Sequence, residues 1–99
     1  MKPTIAAALV SWLLMAPPID TGWDARFDAG TPMSQWLVVN SYDSPAQCEF
    51  ARLGRVFTAM RALDRSPDEI RRQRRHKLLI WAYLWECDVS DDPRLRPGN

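Results

Sequence analysis

Two cysteines constrain this chain more than any other feature. Cys48 and Cys87 are the only ones in its 99 residues, and both lie in the part that reads as exported. One pair admits a single connectivity, and in an oxidising compartment the expected outcome is a bridge. It would close a loop of about 40 residues and contribute about 4 kcal/mol in the chain-entropy account of cross-linking. An exported part of about 80 residues has a small core, so a contribution of that size bears on whether it folds at all. The alternatives are two free buried thiols or half of a metal site. His76 is the only histidine, which makes the metal alternative weak.

The export reading comes from the first eighteen residues, "MKPTIAAALVSWLLMAPP". A cation at Lys2 precedes an apolar run from Ile5 to Ala16, the length of a signal-peptide core and short for a membrane span. The cleavage signal is poor, because Leu14 and Pro17 flank Ala16 where small residues are preferred. A cut nearer Thr21 or Gly22, or an uncleaved membrane anchor, remains open, as does a short core helix. Membrane association is expected only if this leader stays attached. The expected location is secreted or periplasmic, or else membrane-anchored through this segment.

Charge excludes one broad class. The chain carries 13 Lys and Arg against 12 Asp and Glu. Lys2 is the only one of these before Asp20, so a chain without its leader has no net charge. A protein that holds nucleic acid over its whole surface is plainly basic. Any attraction for a polyanion here must be local.

Residues 19–34, rich in Pro, Gly and Asp, read as an irregular linker. "QWLVVNSYD", residues 35–43, has the aromatic and β-branched content of a strand. In "SPAQCEF", Ser44, Pro45 and Gln47 form a capping pattern that starts a helix running to about Leu63. Phe50, Leu53, Phe57 and Met60 make one apolar stripe along it, and Arg52, Arg55 and Arg61 sit mostly away from that stripe. Ser66, Pro67 and Glu69 repeat the start signal for a second helix, which holds at least to His76. Beyond it, "LLIWAYLWECDV" reads as a strand from about Leu79 to Asp88, with continued helix as the alternative.

The five cations Arg71, Arg72, Arg74, Arg75 and Lys77 are the candidate binding residues. On a helix they spread almost all round the cylinder, which argues against an amphipathic membrane-surface helix. The plain reading is a solvated helix, with Asp68 and Glu69 answering part of the charge. The sharper one is a local polyanion patch for lipopolysaccharide, anionic lipid or nucleic acid, with Trp81 and Trp85 as stacking residues. Other chemistry is thin. Ser44 and Ser66 are explained as helix caps. Asp88, Asp91 and Asp92 lack the spacing of a calcium loop, and no phosphate-binding glycine loop, haem motif or dinucleotide fingerprint is present. No catalytic residue, metal site or cofactor is expected.

Three pieces carry a resemblance: "WLLMAPP", "SQWLVVNSYDSPAQCE" and "ECDVSDDPRL". They resemble a loose group of small, uncharacterised bacterial exported proteins. Those carry a tryptophan, then a (F/Y)D(S/T)…CE segment opening a helix, then a C-terminal C…SDDPRL motif. Trp36, Tyr42, Asp43, Cys48 and Glu49 match the first signature; Cys87, Ser90, Asp91, Asp92, Pro93, Arg94 and Leu95 match the second. The resemblance implies export and a Cys48–Cys87 pair, and no known activity or ligand.

The expected architecture is α+β. A two-stranded antiparallel sheet, Trp36–Tyr42 with about Leu79–Asp88, is packed by the amphipathic helix Pro45–Leu63. A second, more exposed helix follows, and one disulfide ties the whole. A leader at 1–18, a linker at 19–34, a domain at 35–92 and a flexible tail at 93–99 complete the organisation. The expected role is non-enzymatic: a secreted or envelope protein that is structural or binds a protein or envelope component. The alternative is polyanion binding through Arg71–Lys77.

Overall fold

A computed structural model of the chain describes residues 10–20 and 25–96. The early part of the leader and Trp23 lie outside them. Among the described residues the fold is α+β, with two helices, a three-stranded sheet and a separate two-stranded sheet.

The strands are β1 (Trp12–Ala16), β2 (Ile19–Asp20), β3 (Arg26–Phe27), β4 (Leu37–Tyr42) and β5 (Glu86–Val89); the helices are α1 (Pro45–Asp64) and α2 (Glu69–Tyr83). The larger sheet has the order β4-β1-β5, antiparallel throughout. β1 is therefore its middle strand, and this corrects two expectations. Residues 12–16, assigned to the leader, lie inside the domain expected to begin at residue 35. The two strands expected to pair directly are instead separated by β1. The physical reason lies in "WLLMA", which is apolar on both faces. Such a run suits a strand covered on both sides as well as it suits a leader. Leu14, Met15 and Ala16 are all buried.

Alternation sends Trp12, Leu14 and Ala16 to one face of β1. Leu14 and Ala16 join Cys48 and Trp85 there as the core, with Trp12, Tyr42, Ala51, Trp81 and Cys87 packed around them. The register with β4 slips between Leu14 and Met15, so that Leu14 faces Asn40 and Met15 faces Val38. This is a bulge at Val39.

α1 begins as its sequence predicts. The Ser44 hydroxyl accepts from the Gln47 amide at 3.2 Å, and the Gln47 side chain accepts in return from the Asp43 amide. α2 starts differently. Ser66 donates its hydroxyl proton to Ala62 O at 3.0 Å, just past the end of α1, and Asp68 takes the capping role by accepting from the Arg71 amide at 2.8 Å. An acidic cap also suits the positive end of the helix dipole.

α2 runs on through Tyr83, so the strand expected from Leu79 shrinks to Glu86–Val89. Helical spacing aims Leu78, Trp81 and Ala82 at α1 and the core, whereas strand alternation would have grouped Tyr83 with Trp81; Tyr83 is exposed. The Trp81 indole donates to Pro17 O at 2.9 Å and meets Trp85 edge to face at 5.0 Å. The segment read as a linker also holds structure: the β2–β3 pair, a 3-10 turn at Met33–Gln35, and the Trp36 indole donating to Thr31 O. The expected tail opens with a second 3-10 turn, Pro93–Leu95. Residues 97–99 of that tail are outside the description.

The Cys48–Cys87 disulfide is present, with Cα atoms 6.0 Å apart, an ordinary spacing. It joins the first turn of α1 to β5 and fixes which side of α1 faces inward. Cys48 and Val56 are buried, with Ala51 half-buried beside them. At one hundred degrees per residue, that leaves the stripe of Phe50, Leu53, Phe57 and Met60 pointing outward. The amphipathic helix therefore packs by its small-residue side.

Candidate functional site

Two surfaces and one turn hold the side chains that carry chemistry. The first surface is basic and lies where α2 crosses the end of α1. Of the five expected cations, Arg71 pairs with Asp68 at 3.4 Å. The guanidinium of Arg72 donates to Leu63 O at 3.4 Å, and that of Arg75 to Ala62 O at 3.5 Å. Positive groups here meet the carbonyls and negative dipole end of α1, so part of the basic run has a structural task. Arg74 is half-buried and Lys77 exposed.

Arg74 and Arg75 line an inter-helix cavity of about 250 Å³ with Leu78, Trp81 and Ala82, facing Arg55, Ala59 and Ala62 across it. Arg55 stacks over the Trp85 ring, 5.4 Å from its centre. A neighbouring recess gathers Arg61, Arg65 and Arg75 around Thr58 and Ala62. The sequence pattern does not reveal this contribution from α1, because its periodicity points to the Phe50–Met60 stripe as the inner face. The available signal was the opposite stripe of small residues, Cys48, Ala51, Ala59 and Ala62, which permits close packing of α2.

The second surface is that outward stripe. Phe50 is 81% exposed and Phe57 60%, with Leu53 and Met60 also exposed. Scattered apolar side chains on a surface are ordinary; four large ones in a row along one helix face make this the candidate apolar surface. Beside it, the edge strand β4 leaves Leu37, Val38 and Val39 exposed. It bears no charge or proline of the kind that blunts an edge.

The turn is Asp88, Asp92 and Arg94. Arg94 makes a two-pronged contact with Asp92, from Nε at 3.0 Å and Nη2 at 2.8 Å, and lies 3.7 Å from Asp88 Oδ1. Its hydrogen bonds hold Asp92 far below the usual carboxylate range. Burial pushes Asp88 upward, and adjacent Asp92 acts in the same direction. The two effects oppose each other in pH dependence. The stabilisation from Asp92 is present above its unfolded value near 4 and is lost as pH falls below it. The strain on Asp88 is relieved as pH falls through its raised value. Arg94 lies against both acids, closer to Asp92 than to Asp88. Among the described residues no group of three or more His, Cys, Asp or Glu side chains is placed to hold a metal. Nor is any helix long and apolar enough to cross a membrane.

Comparison of the chain with protein-family models, with curated proteins and with solved structures gave no match.

Proposed function

We propose that this chain is a non-enzymatic, secreted or envelope-associated module that binds a protein through the outer face of α1. One observation carries the reading: the helix turns its largest apolar side chains, Phe50 and Phe57 above all, to solvent. The disulfide favours an oxidising compartment. Processing bears on the same point. A cut after Ala16, or nearer Thr21, would remove β1, so the fold described here belongs to a form that keeps Trp12–Ala16. A photo-crosslinking residue in place of Phe57 is expected to give a protein adduct in the native compartment. The same residue in place of Tyr83, exposed on α2, should give none. Equal yields at both positions, or no adduct at 57, would overturn the proposal.

A second reading has its own support in the gathering of Arg61 and Arg65 beside Arg75. Under it, the basic recess takes an anionic polymer or lipid headgroup. Retention on heparin should then fall steeply with salt. Changing Arg71, Arg72, Arg74 and Arg75 to glutamine should abolish it, and Arg61→Gln with Arg65→Gln should weaken it. Retention that ignores salt, or survives those changes, counts against this reading.

A further inference from the structure

We infer that the partner of the outer α1 face is a second copy of this chain, the two helices lying antiparallel about a two-fold axis. The inference rests on the proposal above that this face binds a protein. Its first support is spacing. Phe50, Leu53, Phe57 and Met60 follow intervals of three, four and three, the a/d pattern by which one helix packs along another. A two-fold interface uses the same patch on both copies. An axis between Leu53 and Phe57 sets Leu53 of each copy against Phe57 of the other, and Phe50 against Met60. No charged residue enters those pairs.

The second support is Gly54. It sits in the middle of an exposed helix, where glycine costs about 1 kcal/mol relative to alanine. A Cβ built on it would meet nothing within 4 Å, so packing within one copy does not require a glycine. The two-fold that matches the apolar stripe brings the two Gly54 residues side by side next to the axis. A missing side chain there allows two backbones to approach closely. A groove flanking the stripe, lined by Gly54, Ala51, Arg55 and Thr58, reaches Val39 and Tyr42 on β4.

Charge and area agree. At its start Glu49 is already paired with Arg52 at 2.8 Å, and at its end Arg61, Asp64 and Arg65 are basic on balance. Antiparallel pairing keeps the two basic ends apart and opposes the helix dipoles. The four apolar side chains leave on the order of 450 Å² exposed per copy. That is more than half of the roughly 800 Å² per partner of a standard interface; flanking residues and Val39 supply the rest.

Sedimentation of the full, oxidised chain tests this directly. A dimer is expected at concentrations on the order of 10 µM. Phe57→Glu should weaken it about 100-fold by burying charge in the seam, with the circular dichroism spectrum unchanged. Independently, Gly54→Cys should give a covalent dimer under mild oxidation, and Tyr83→Cys should not. A monomer at about 100 µM, or a dimer indifferent to Phe57→Glu in a folded protein, would overturn the inference, as would equal cross-linking at 54 and 83. A monomer that still forms adducts with a different protein at position 57 sinks the inference and leaves the proposed function standing. If neither dimer nor adduct forms, both fall.

Discussion

A chain that begins at Pro17 is expected not to fold. Removing β1 takes away Leu14, Met15 and Ala16, which are 3%, 2% and 0% exposed. A fully buried large apolar side chain contributes about 2 kcal/mol. The loss goes further, because β1 hydrogen-bonds to a strand on each side. Without it, β4 and β5 no longer belong to one sheet. Pro17 O would also sit at a free end, weakening the anchor for the Trp81 indole. A domain this small holds net stability near the low end of about 5–15 kcal/mol, less than these losses together. Circular dichroism should show no cooperative thermal transition for the shortened chain. Leu14→Asp in the full chain should do the same, by placing an unpaired charge beside Cys48 and Trp85. Cooperative unfolding of the shortened chain near the full-length midpoint would contradict this.

The second large effect belongs to the disulfide. Replacing Cys48 and Cys87 together with serine should lower stability by about 4 kcal/mol, through release of a loop that spans 39 positions. For a domain of this size that corresponds to a midpoint drop on the order of 20 °C. Reduction of the native protein should reproduce it. An unchanged midpoint after complete reduction would show that the tie adds nothing to the packing around Leu14 and Trp85.

The parts of the fold legible in the sequence are those set by local chemistry. Ser44, Pro45 and Gln47 mark the start of α1 because capping needs only neighbours. The cysteine pairing was legible from count, since one pair admits a single connectivity. What escaped depends on tertiary choice. "WLLMA" satisfies a leader and a middle strand equally, since both ask only for unbroken apolar character. "LLIWAYLWE" has strand-like composition, yet Leu78, Trp81 and Ala82 find their partners at helical spacing. The periodicity of α1 revealed a stripe without revealing what it faces. Cys48, about two hundred degrees away from Phe50, determines that. The same reversal hid the basic recess, because Arg61 and Arg65 approach Arg75 only once the small-residue side of α1 faces inward. The spread of Arg71–Lys77 round its helix was legible and persists, but the use of Arg72 and Arg75 on the end of α1 required the hairpin.

Amide hydrogen exchange along β1 tests the central claim most directly, which is that Trp12–Ala16 is the middle of the sheet. With strands on both sides, the amides of residues 13–15 should exchange as slowly as those in the middle of α1. Exchange at the rate of an unstructured chain across Trp12–Ala16, while α1 stays protected, would contradict it.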